Sequence, residues 1–187
     1  MAGSRVAPPW LAVTGDMVPM RTAERTDPRL IDLLRSAQVT FINLETAFTD
    51  RGAAGEKTLH HRADKSSVEV LSDFGIDVVT LANNHTMDFG PLGLADTLCA
   101  LSHAHIAAVG AGNELSAAIT PSLHHTHSGA LGILGLSASL PPAFTAAAGS
   151  PGWHQSEFCK QPHWTPYSLP SSPGSHRSFT LVPSKQT

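Results

Sequence analysis

Leu81-Ala82-Asn83-Asn84-His85-Thr86-Met87-Asp88-Phe89-Gly90 breaks an apolar run into two amides, an imidazole and a carboxylate, and its reading decides the fold. Upstream, Ile76-Asp77-Val78-Val79-Thr80-Leu81 has the length and β-branched content of a buried strand. Downstream, Gly90-Pro91 restarts the chain as a helix, with Leu94, Ala95, Leu98 and Leu101 at helical spacing. The polar cluster therefore occupies a strand-to-helix turn. In an open α/β sheet such turns lie at the carboxyl edge, where ligands and metals bind.

The same alternation extends to both sides. Residues 10–14 read as a first strand that stops at Gly15-Asp16, and Asp27 before Pro28 is an N-cap with proline at the first helical position. Leu30, Ile31 and Leu34 then share a helical face. Residues 39–45 form a β-rich run ending in Asn43 and Glu45, which stand two positions apart and so on one face. An aperiodic excursion over 46–65 is expected to cover the site, with His60, His61 and Arg62 at its end. Ser66 with Glu69 predicts a capping box opening a second helix, and Gly75 its stop. Residues 106–109 supply another strand, and residues 121–126 with 130–136 a hairpin around Ser128-Gly129. The class expected is α/β with a mainly parallel central sheet and right-handed crossovers.

The totals narrow the function classes. A chain of 187 residues, 41% hydrophobic, suits one core. The expected domain spans 10–151, followed by an irregular, disordered tail over 152–187 rich in Pro, Ser and His. A formal charge of -3 with 12 scattered Lys and Arg gives no footprint for nucleic acid. No run is long enough for a membrane span and no secretory signal opens the chain, so a cytoplasmic location is expected. Cys99 and Cys159 make neither a disulfide framework nor a CxxC pair.

Parallel crossovers bring every strand's carboxyl end to one edge, so Asp16, Asn43, Glu45 and the 83–88 segment converge whatever the strand order. Carboxylate and amide oxygens with an imidazole suit a divalent cation, which makes Asp16, Glu45, Asn84 and His85 a candidate ligand set for manganese, magnesium, iron or zinc. His85 and Asp88 are the candidate catalytic pair; Asn43, Asn83 and Arg62 are candidates for contacting substrate. Each has a bland alternative. Asp16 could cap a turn, Asn83 and Asn84 could form one, and Asp88 could cap the helix after Gly90. Their coincidence at one edge favours a site. His60 and His61 read as solvated loop residues, and His124, His125 and His127 as an exposed polar strand.

The ordered pieces Gly15-Asp16-Met17, Asn43-Leu44-Glu45, the 81–90 segment, Asp96-Thr97 and Gly110-Ala111-Gly112 resemble the bacterial capsule synthesis protein CapA family, linked to poly-gamma-glutamate biosynthesis. The resemblance runs from about residue 10 to about 151, and that family is similar, more distantly, to calcineurin-like metallophosphoesterases. It implies the N-terminal portion of an αββα sandwich, with Asp16, Glu45 and Asn84 as metal ligands and His85 as general acid or further ligand. Val18 stands where that superfamily has a histidine, and no Gly-Xaa-His-Xaa-His segment follows; His154, His163 and His176 lie in different surroundings. The resemblance thus implies a metal-dependent hydrolase or transferase acting on a phosphoester or a polyglutamate amide, with at most one ion and weak or no turnover. The alternatives are a non-catalytic accessory protein and an inactive truncated fragment. Poly-gamma-glutamate or a small phosphoester is the partner expected.

Overall fold

A computed structural model of the chain describes residues 10–19, 26–127, 129–137 and 152–153. The element order is β1 (Leu11–Met17), α1 (Pro28–Arg35), β2 (Val39–Leu44), β3 (Ala47–Phe48), β4 (Arg62–Ala63), a single 3₁₀ turn (Lys65–Ser67), α2 (Val68–Asp73), β5 (Val78–Thr80) and α3 (Gly90–His103). β6 (Ala107–Val109), β7 (Ala111–Gly112), α4 (Leu115–Ala118), β8 (Ser122–Thr126), β9 (Gly129–Ile133) and β10 (Gly152–Trp153) come next. The expected central sheet is present: β1-β2-β5-β6, every pairing parallel. β8 and β9 form the expected antiparallel hairpin, and β10 pairs with β7. Beyond Gly152–Trp153, the tail expected to be irregular lies outside the described residues.

Strand periodicity sorts the core into two layers. Ile42 and Leu44 of β2 and Val79 of β5 face one side, where they pack with Phe48, Leu71, Leu94 and Leu101. Val39 and Phe41 of β2 and Val78 of β5 face the other, against Val109 and the half-buried Leu131 and Ile133 of the hairpin. With both faces covered, β2 is buried at every residue, as parallel strands between two layers are.

Two local expectations are corrected by tertiary context. β1 does not stop at residue 14. Its register slips between Val13 and Asp16, a bulge that carries the strand past Gly15 and sets Asp16 opposite Asn43 inside the ladder. The second helix is opened by Asp64 rather than by a Ser66–Glu69 box, because the Asp64 carboxylate accepts from Ser66 N–H at 2.8 Å and starts the 3₁₀ turn. The alternative in which Asp88 merely caps α3 is not adopted: the N-cap is Phe89, with no side-chain cap. Asp27 does cap α1, and Gly75 does end α2's turn, with φ +70.

The excursion after β3 is fastened to α3 by one buried carboxylate. Asp96 accepts from Thr49 Oγ1 at 2.6 Å and from Arg51 Nε at 3.0 Å, with Arg51 Nη2 on its other oxygen and Lys65 Nζ at 3.3 Å. Arg51 first, then Thr49, hold the Asp96 carboxyl well below the usual carboxylate range. A depressed folded-state pKa stabilises the fold above the unfolded value, and that contribution is lost as pH falls through the folded value. Asp96→Asn is therefore expected to cost about 1–3 kcal/mol at neutral pH. Its melting temperature should converge on wild type as pH drops below about 4. Melting curves at several pH values check this, and a gap that stays constant with pH would refute it.

Candidate metal site at the carboxyl edge of the sheet

The turn after β5 is built around the amide of Asn83. Its Oδ1 accepts from the main-chain N–H of His85 at 2.9 Å and of Thr86 at 3.1 Å, closing the turn. Its Nδ2 donates to Asn43 Oδ1 at 2.9 Å and to Leu44 O at 2.8 Å, tying the turn to β2. Asn43 passes the link outward: its Nδ2 donates to Asp16 Oδ1 at 2.7 Å and to Glu45 Oε1 at 3.1 Å. Asn43 and Asn83 are both buried, so these two expected substrate contacts lie under the site with their amides engaged by the protein. Asp16, exposed, and Glu45, half-buried, are held side by side above them.

The excursion supplies what periodicity did not. β4 runs parallel to β3, and Ala47 N–H donates to His61 O at 3.1 Å, which sets His61 beside the segment that comes after Glu45. His61 is half-buried and stacks on His85, with ring centroids 3.9 Å apart and planes within 9°. The expectation that His61 is a solvated loop residue is thus corrected. His60, also half-buried, turns the other way and contacts Gly55 O at 2.8 Å. The signal in the sequence is a His-His pair at the foot of a loop that leaves directly after Glu45.

One ligand atom from each of Glu45, His61 and His85 lies within 4.8 Å of the others. Two of the expected ligands, Glu45 and His85, are in this group, and His61 is the third. Asp16 is one hydrogen-bonding nitrogen away, on Asn43. Asn84 is exposed at the tip of the turn, and its main-chain carbonyl accepts from Lys57 Nζ at 2.8 Å.

On both rings Nδ1 is committed to the protein. His61 Nδ1 contacts Glu45 O at 2.8 Å, and a carbonyl only accepts, so this nitrogen carries the hydrogen. His85 Nδ1 lies 2.8 Å from Asp88 Oδ2, which only accepts, and 3.2 Å from Lys57 Nζ; the shorter contact, to the carboxylate, places the hydrogen on Nδ1. Both rings therefore keep Nε2 as a free lone pair, the arrangement of metal-ligating histidines oriented by an outer carbonyl or carboxylate. Two imidazoles and a carboxylate suit zinc, manganese or iron better than the all-oxygen preference of magnesium. The residues present fit a single divalent ion.

Asp88 is completely buried. Its Oδ2 takes His85 Nδ1 and, at 2.7 Å, His61 N–H; its Oδ1 is paired with Lys57 Nζ. Arg62 is exposed. Its guanidinium lies 3.7 Å above the Phe89 ring, and Nη2 donates to Arg51 O and Gly52 O at 3.3 Å.

Residues 11–170 match the family model described as "Bacterial capsule synthesis protein PGA_cap". The chain is 44% identical over 84 residues to a probable polyglutamine synthesis accessory protein of Mycobacterium tuberculosis, covering 44% of this chain and 22% of that protein. It is 43% identical over 61 residues to the PGA biosynthesis protein CapA of Bacillus subtilis, covering 33% of this chain and 16% of that one. Against the capsule biosynthesis protein CapA of Bacillus anthracis the identity is 37% over 59 residues, 32% of this chain and 14% of the relative. The matched stretches thus span less than a quarter of those relatives.

Proposed function

The chain belongs to the bacterial capsule synthesis protein PGA_cap family, and on that premise we propose that it is a metal-dependent hydrolase or transferase of capsule or polyglutamate biosynthesis. Its substrate is a phosphoester or a polyglutamate amide. The observation that carries this reading is the convergence of Glu45, His61 and His85 on one point, each histidine oriented from behind by a protein acceptor. A divalent ion held there supplies a Lewis acid and a bound water of lowered pKa.

The chain's own residues have separate tasks in this reading. Glu45, His61 and His85 hold the ion. Asp16, exposed and steadied by Asn43, faces the same edge and takes a proton or a second contact to the ligand sphere. Asn84 offers an exposed amide to the substrate, and Arg62, one residue from His61, an exposed cation to a carboxylate or phosphate. Asn43 and Asn83 position the acidic groups from below, and Asp88 acts through the two histidines rather than on substrate.

A second reading, a non-catalytic accessory protein that binds ion or polymer without turnover, is favoured by one observation. Among the described residues there is a single group of three His, Cys, Asp or Glu ligands, whereas a two-ion clamp needs two such sets. The experiment is hydrolysis of a generic phosphodiester with added Mn²⁺, comparing wild type with His85→Ala and Asp16→Asn. Slow, Mn²⁺-dependent turnover lost in both variants is expected. Stoichiometric Mn²⁺ binding with no turnover on phosphodiester or polyglutamate would leave the accessory reading in its place.

A further inference from the structure

We propose that Lys57 is a positioning residue that, through Asp88, holds His61 against His85 in the metal-free protein, so that the ligand set exists before an ion arrives. This role rests on the metal-site reading and deepens it.

The two histidines come from separate segments: His85 from the turn after β5, His61 from the end of the excursion. Nothing in local sequence keeps them together. Asp88 joins them, with its Oδ2 accepting from both His85 Nδ1 and the His61 main-chain N–H. That sharing is available only if the other oxygen is satisfied elsewhere, and Asp88 Oδ1 has no hydrogen-bond donor among the described residues apart from its ion pair with Lys57. Lys57 also donates to Asn84 O at 2.8 Å and lies 3.2 Å from His85 Nδ1, so its one ammonium meets the turn at three points while its backbone belongs to the excursion. Its side chain is only 26% exposed, and solvent competes weakly for that ammonium.

Two further contacts close the same seam. Gly55 N–H donates to Asp88 O at 3.0 Å, and Gly52, at φ +83, lies so close to Phe89 that a Cβ there would meet its carbonyl oxygen at 2.1 Å. The excursion is therefore braced on the turn from Gly52 to His61, and among the described residues Lys57 is the charged brace aimed at Asp88. Without it, a buried carboxylate with one unsatisfied oxygen draws in water or turns toward other donors, and the His61 N–H is the contact it gives up. A purely structural ion pair would weaken the whole domain evenly. A positioning residue loosens His61 and the ion first.

Two measurements decide it. In the metal-free wild-type chain, amide exchange at His61 should be slowed at least about tenfold relative to an unstructured peptide, because its N–H is held by Asp88. In Lys57→Met, His61 exchange should speed up far more than that of Ile42 and Val79 in the core. Zn²⁺ affinity by calorimetry should fall about 10- to 100-fold, the usual loss when an outer-shell partner is removed. Restoring an ammonium, by Lys57→Cys alkylated with 2-bromoethylamine in a Cys99→Ser, Cys159→Ser background, should recover most of both. Should Lys57→Met fail to fold, Lys57→Gln, which keeps N–H donors without the charge, is read in its place. Unprotected His61 in the metal-free wild type, or a folded Lys57 variant that binds Zn²⁺ within about threefold of wild type, overturns the proposal. Wild type that binds no Zn²⁺ refutes the metal-site reading instead, and leaves His61 protection to judge the brace.

Discussion

Replacing Asn83 by alanine is expected to destabilise the fold by about 3–5 kcal/mol, because several buried polar groups lose their partner at once and each such loss costs about 1–3 kcal/mol without full additivity. The groups concerned are the N–H of His85 and of Thr86, Leu44 O and Asn43 Oδ1, all served by one side chain that is 4% exposed. Alanine fills none of these roles, and the site is too enclosed for water to replace all of them. At this domain size the loss corresponds to a melting temperature lowered by roughly 10–20 °C. Asn84→Ala, one residue along, is the control. Its side chain is exposed, and the change should fall within about 0.5 kcal/mol of wild type. Thermal melts of the three proteins compare them, and an Asn83→Ala variant melting within a few degrees of wild type would mean the turn is not built on this amide.

The second large effect separates two adjacent histidines. His61→Ala should reduce Zn²⁺ affinity by at least about a hundredfold, since loss of a ligand exceeds the 10- to 100-fold typical of an outer-shell partner. His60→Ala should leave it within about threefold. His61 stacks on His85 and belongs to the three-ligand group, whereas His60 points to Gly55 O and the Phe89 edge. Calorimetric Zn²⁺ titration of both variants measures the difference. Equal affinities would show that the ion, if bound, uses another set, and Asp16 and Asn84 would return as its ligands.

Among the described residues no helix is long and apolar enough to cross a bilayer. The excursion carries both the acid-sensitive Arg51–Asp96 fastening and the Lys57 brace, so charge fixes it near its start and again near its middle.

Periodicity and turn chemistry are the parts of this fold that the chain determined by itself. Continuous β-rich, β-branched runs specified β2 and β5, helical spacing specified α3, and Asp27-Pro28 and Gly75 marked helix ends correctly, because each signal is local and each element obeys it. Parallel connectivity then implied that Asp16, Glu45 and His85 share an edge, and they do. Tertiary structure alone decided which side chains of that edge meet. The bulge in β1, the parallel β3–β4 pairing that brings His61 beside Glu45, and the grip of Lys57 on Asp88 all arise from contacts between segments distant in sequence. No residue in the excursion repeats at a period, so beyond the His60-His61 pair nothing local sets its ligand or its brace apart from solvated loop; the β3–β4 pairing does that.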